Sequence, residues 1–137
     1  MLTHLTKLQL NIIRSNVDTQ EYFFIPFFIL NTDKYGSLSS EVRSTYMYVF
    51  NHLLSNHLFD NEIVYTIYPL KDLSSDRKIC MQTAAKHLNI LKDAGLLEIK
   101  CTIKGKPNHI YLKYESNGLL ENHEDDFITP KKFNTSN

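Results

Sequence analysis

Apolar positions recur with a helical period in two stretches of this chain. Between Ser39 and Ser55, the residues Val42, Tyr46, Val49, Phe50, Leu53 and Leu54 form one stripe. Ser39 supplies a polar start, and Glu41 lies in the first turn where it complements the helix dipole. Between Cys80 and Ala94, the residues Ala84, Leu88 and Leu91 fall in a narrow arc at about 100° per residue, with Gln82, Lys86, Asn89 and Asp93 opposite. Gly95 stands where a helix-ending glycine belongs. The period then shortens. Leu96 to Lys100 and Ile110 to Tyr114 predict two strands joined by the basic turn Lys104-Gly105-Lys106-Pro107-Asn108. Ile63 to Tyr68, rich in β-branched and aromatic residues, predicts another strand. Pro69 opens a short helix to about Asp76 with Leu70 and Leu73 inward, and Ser74 to Lys78 is expected to turn into the next helix.

The order is therefore helix, strand, helix, helix, strand, strand. Ahead of it, Tyr22 to Ile25 reads as extended chain, and Pro26 to Leu30 as a single helical turn. The aromatic residues there are expected in the core, or else against a second copy of the chain. Asn31 to Leu38 reads as a polar connection, and Asn56 to Glu62 as a break. At the start, Leu8, Leu10 and Ile12 alternate with polar residues and permit a short strand. These elements predict an α+β fold, a winged helix-turn-helix with a three-helix core, a small antiparallel sheet and a β-hairpin wing. The expected organisation is an N-terminal arm (1–21), the winged-helix domain (22–114) and an acidic linker or tail (115–137). The tail's composition offers too little apolar area to offset its ordering entropy.

Charge sharpens this picture. The chain carries 15 Lys/Arg and 15 Asp/Glu, a formal net charge of zero. Residues 71–114, however, hold nine Lys/Arg against four Asp/Glu, a local +5, between segments of −2 and −3. The cations thus gather where a helix and a basic hairpin suit a duplex, the helix in a major groove and the hairpin tip on phosphate or in the minor groove. Gln82 and Asn89 are candidate base readers, because a carboxamide pairs bidentately with adenine, and Thr83 lies beside them. Lys86 could reach guanine or phosphate. Lys78, Lys104 and Lys106 are assigned to the DNA backbone, with Asn108 and His109 as wing contacts. Asp93 at the far end of the helix favours entry by its N-terminal half. The plain alternative is an ordinary wetted helix face.

Other chemistry finds little footing. Cys80 and Cys101 lack metal-ligand spacing and read as reduced thiols. His52 and His57 are not spaced to share a helix face, and His87 and His109 read as structural or phosphate-facing. No catalytic or phosphate-cradling motif occurs, so neither an enzyme, a cofactor nor a small-molecule substrate is expected. The Tyr22–Leu30 run, broken by Pro26, is too short for a membrane span, and a cytoplasmic protein is expected.

Four pieces, in order, carry a resemblance over residues 22–114. They are Tyr22-Phe23-Phe24-Ile25-Pro26, Lys34-Tyr35-Gly36-Ser37-Leu38-Ser39, Thr83-Ala84-Ala85-Lys86-His87-Leu88 continuing to Ala94-Gly95-Leu96, and Gly105-Lys106-Pro107-Asn108-His109-Ile110-Tyr111. Together they resemble the N-terminal domain of the RepA-type replication initiators of plasmids from low-GC Gram-positive bacteria, whose wing usually carries arginine in place of His109. The resemblance implies a winged helix that recognises direct repeats of a plasmid origin as double-stranded DNA, as a homodimer. It also implies an origin that often lies within the initiator's own coding sequence, and a C-terminal domain beyond a flexible linker. The residues alone leave two other classes open: a winged-helix transcriptional regulator, and a winged helix serving only protein interaction.

Overall fold

A computed structural model describes residues 2–16, 23–101, 103–115 and 127–128. In chain order the elements are β1 (Leu2–His4), α1 (Lys7–Asn16), β2 (Ile25–Pro26), a 3-10 turn (Phe27–Leu30), α2 (Thr32–Tyr35), α3 (Ser40–Ser55), β3 (Leu58–Asp60), β4 (Ile63–Ile67), α4 (Leu70–Arg77), α5 (Met81–Asp93), β5 (Leu97–Lys100), β6 (His109–Glu115) and β7 (Phe127–Ile128). The order expected between α3 and β6 is present, with one added edge strand, β3. Helices α3 and α5 pack on an antiparallel sheet, α4 packs against both of them, and the β5–β6 hairpin forms the wing. This is the winged helix-turn-helix architecture.

Helix α3 is the scaffold. Ser39 Oγ accepts from the Val42 N–H at 3.2 Å, and the whole apolar stripe of the helix is buried. The aromatic lead-in packs on it. Asn51 fixes the approach, its Oδ1 accepting from Phe24 N–H and its Nδ2 donating to Phe24 O, both at 2.7 Å. Phe24 and Ile29 become fully buried, and Phe28 sets its ring edge-on to Tyr35, Tyr46 and Tyr114. Phe23, Phe27 and Leu30 stay exposed on the same segment.

Three details depart from the sequence pattern. Residues 7–16 form a helix where alternation permitted a strand, because Thr6 and Gln9 cap each other's backbone. Gln9 N–H donates to Thr6 Oγ1 at 3.3 Å and Thr6 N–H to Gln9 Oε1 at 3.1 Å. Leu5, Leu10 and Ile13 are then fully buried, so this segment, expected as an arm, lies within the core. Second, α4 continues through Ser74 to Arg77, and the turn shrinks to Lys78-Ile79-Cys80. Lys78 stops the helix in the left-handed conformation at φ 58°, and Ile79 N–H donates back to Ser74 O at 3.0 Å. Third, the connection 31–38 holds the short helix α2, which Asn31 caps and which buries Tyr35. Of the expected acidic tail, only Glu115, Phe127 and Ile128 are among the described residues. Glu115 ends β6, while Phe127 and Ile128 pair with Pro26 and Ile25.

Strand β6 is shared by three neighbours. Its first residues pair with both β4 and β5, and its last three with β1. At its end the carboxylate of Glu115, 4 % exposed, lies 2.5 Å from Lys34 Nζ and accepts from Tyr35 Oη at 3.1 Å. Burial alone would raise this carboxyl, but Lys34 and Tyr35 outweigh it and hold it below its ordinary value. Burial and then the carboxylate push the Tyr35 phenol up to about 12. A depressed carboxyl stabilises the fold above the unfolded value and ceases to do so as pH falls through the folded one. Glu115→Gln is therefore expected to lower stability by about 1–2 kcal/mol near neutral pH, with the gap closing below about pH 4. Urea melts at several pH values measure it; a constant gap down to acid pH would refute the assignment.

Candidate nucleic-acid interface

The turn Lys78–Cys80 sets α5 across α4. Cys80 occupies the cap position of α5 without a side-chain bond to the helix backbone, and its Sγ lies 3.1 Å from Thr83 Oγ1. The Thr83 hydroxyl, then nearby backbone amides, draw the thiol below its ordinary value. Thr83, expected to face a ligand, is thus engaged with Cys80. Ala84, His87 and Leu91 are buried on the inner face of α5, with Leu88 half-buried beside them. Gln82, Lys86, Asn89 and Asp93 are exposed on the outer face, as the pattern required. Gly95 closes the helix with φ 80°, a conformation that disfavours any side chain.

The wing approaches from the side. Register Lys100↔His109 fixes where β5 hands over to the loop, and Gly105 makes its turn with φ 87°. Lys104, Lys106 and Asn108 are exposed along it. Between wing and helix lies a cleft of about 300 Å³ whose rim carries Asn89 from α5 with Lys106 and Asn108 from the wing. Its floor is apolar, formed by Leu70, Leu88, Ile99 and Ile110 among others. Gln82 and Lys86 lie one turn before the cleft-lining Ala85 and Asn89, so the exposed strip of the helix adjoins the same cleft. Asn89 of the helix and Lys106 and Asn108 of the wing therefore border one cleft.

His109 is placed differently from the other candidates. It begins β6, and its ring stacks on Tyr65 at 4.5 Å on the outer face of the sheet, where Tyr65 also stacks on Tyr111 and Lys100 Nζ lies 4.6 Å from the Tyr111 ring. Burial, then the bond to Asp60, pushes the Tyr111 phenol up to about 12. Among the described residues, Lys78, Lys86, Lys104 and Lys106 enter no ion pair, whereas Lys34, Arg77 and Lys100 do. The sequence pattern missed Tyr68, Pro69, Leu70 and Ile99 as residues that line the cleft. It also missed Thr45, which meets His87 behind the helix from 42 residues away, and Arg77, which binds that Thr45 across 32. No local period marks such pairs. Among the described residues, no group of three His, Cys, Asp or Glu could hold a metal, and no helix is long and apolar enough to cross a membrane.

A DNA-binding winged helix is the class this arrangement resembles, and comparison with known proteins names the family. The sequence model of the replication initiator protein A (RepA) N-terminus matches residues 21–128, and the chain belongs to that family. Two solved structures share the fold. One, described as "N-Terminal domain of DNA binding protein", has a TM-score of 0.60 at 21% identity, covering 81% of this chain and 91% of the other. The second, described as "Structure of Rep-DNA complex", has a TM-score of 0.60 at 22% identity, covering 81% and 92%. No curated protein matches the chain. The family match reaches residue 128 and so includes β7, which pairs with the aromatic lead-in.

Lys78→Gly relieves the left-handed backbone while loosening the unfolded chain, so stability is expected to stay within about 1 kcal/mol of the parent. Affinity for all duplexes is expected to fall alike. Lys106→Ala should flatten the salt dependence of binding by about one unit of slope. Titrations at several salt concentrations test both, and an unchanged slope would remove Lys106 from the interface.

Proposed function

We propose that this domain binds double-stranded DNA sequence-specifically, at direct repeats of a plasmid replication origin, as the N-terminal part of an initiator acting as a homodimer in the cytoplasm. The observation that carries the reading is the convergence of Asn89, Lys106 and Asn108 on one cleft beside the exposed Gln82–Lys86 strip. Family membership supports it, as does the likeness in fold to a Rep protein solved in complex with DNA. In this reading the N-terminal half of α5 lies in a major groove, with Gln82 and Asn89 at base edges. Lys78, Lys86 and Lys104 hold phosphates, which position the helix without reading sequence. Lys106 and Asn108 follow the backbone into the adjacent groove. Thr83, beside Cys80, and His109, stacked on Tyr65, flank these contacts. The exposed Phe23, Phe27 and Leu30 offer an apolar surface to a second copy.

Footprinting on the DNA that encodes this chain and its flanks tests the proposal. Protection of direct repeats is the expected result. Protection confined to a promoter would favour a transcriptional regulator, and salt-insensitive or absent binding an interaction module. On a protected fragment, Gln82→Ala is expected to cost about 1–3 kcal/mol and to relax discrimination at one base pair. Equal loss on protected and random DNA would deny Gln82 a reading role.

A further inference from the structure

Behind α5, one hydroxyl joins three helices. Thr45 of α3 is fully buried, and its Oγ1 lies 2.8 Å from His87 Nδ1 of α5 and accepts from Arg77 Nε of α4 at 3.2 Å. Arg77 reaches on to the start of α3, its Nη2 donating to Glu41 O and Glu41 Oε2, both at 2.9 Å. His87 itself is 8 % exposed, next in sequence to Lys86 and close along the helix to Gln82, Thr83 and Asn89. Leu91 and Ala84 hold α5 through apolar packing, which is not directional. The Thr45–His87 contact is directional, and it fixes the roll of the helix about its axis. That matters at the surface: side chains reach about 5–6 Å from a helix axis, so a roll of about 20° moves their ends by about 2 Å. Such a shift is enough to break a bidentate contact to a base.

We propose that His87 is a positioning residue for DNA reading, and that its neutral imidazole, held by Thr45, which Arg77 anchors in turn, sets the helix roll needed for sequence discrimination. The inference rests on the DNA-binding reading above. Thr45 has a single proton to give. Glu41 O, 3.3 Å away, and His87 Nδ1 compete for it; in the proposed state a His87 protonated at Nε2 takes it at Nδ1 while Thr45 accepts from Arg77. A protonated His87 must instead donate to that oxygen, which leaves the hydroxyl proton to Glu41 O alone and sets an imidazolium near the guanidinium. The charged groups facing the imidazole are Arg77 of α4, Glu41 of α3 and Lys86 of α5. Burial, then Arg77, holds the imidazole below its ordinary value against the opposing pull of Glu41, and Lys86 adds to the lowering. The neutral clamp is thus present at neutral pH and lost as pH falls below the ordinary histidine range. Phosphate contacts made by lysines do not titrate there, so discrimination falls while general affinity does not.

The test is the ratio of affinities for a footprint-protected fragment and a random fragment of equal length, at fixed salt. In the unsubstituted chain the ratio is expected to fall about tenfold between about pH 7.5 and about pH 5.5. His87→Asn keeps an acceptor near Nδ1 without titrating, and should hold the high ratio across the range. His87→Ala should show a low ratio throughout. A ratio in the unsubstituted chain that does not change with pH, or a His87→Asn variant that follows its fall, overturns the proposal. If the chain binds no duplex at all, the DNA-binding reading fails separately. NMR of the free chain then judges the clamp. A neutral His87 protonated at Nε2, titrating together with the Lys86 and Asn89 amides, is expected; an Nδ1–H tautomer, or titration without movement of those amides, refutes it.

Discussion

Strand β6 is the constraint on which the other elements depend. Within seven residues it pairs with β1, β4 and β5, and its alternate side chains Ile110, Leu112 and Tyr114 enter the core. Its backbone also answers distant groups: Lys113 O accepts from Tyr46 Oη at 2.7 Å, and Leu112 O from Leu5 N–H at 3.1 Å. Glu115 at its end receives Lys34 and Tyr35, and Ile110 near its start forms part of the cleft floor. A slip of one residue would exchange Ile110 and Leu112 for Tyr111 and Lys113 and turn the aromatic ladder inward. It would also move the wing by one residue relative to α5. The geometry of the interface is therefore set by packing on the far side of the sheet.

Much of this was legible in the sequence because it repeats locally. The α3 stripe, the outer and inner faces of α5 and the glycine stop at Gly95 follow from short-range periodicity and backbone preference, and all stand in the structure. So does the 3-10 turn after Pro26. The family was legible from four short motifs, and the match over residues 21–128 shows it.

What escaped was of two kinds. Some signals were local but read with the wrong period. Leu8, Leu10 and Ile12 alternate, yet Thr6 and Gln9 form a reciprocal cap that selects the helix, leaving Leu8 exposed and Leu10 buried. Lys78 likewise ends α4 in a backbone region where glycine or asparagine is the usual mark. Other features are not local at all. Which side of α5 faces the wing depends on the register of β5 and β6, and His87 meets Thr45 of α3, which in turn holds Arg77 of α4. Composition and spacing carry no trace of such contacts.

The division of labour among the basic residues follows from the same packing. Arg77 contributes its guanidinium to the interior, bonded to Thr45 and Glu41 and lying 5.5 Å over the Tyr48 ring, so its planar fork is not available to a partner. The cations left on the interface are lysines, which offer mobile point charges rather than fixed paired donors. On the proposed reading, lysines can hold a duplex but discriminate weakly between bases. Discrimination then falls to the carboxamides of Gln82 and Asn89, whose two-point contacts tolerate little misalignment. A surface of this kind depends on how firmly its helix is seated, so the buried polar junction behind α5 bears on specificity more than any further surface charge would.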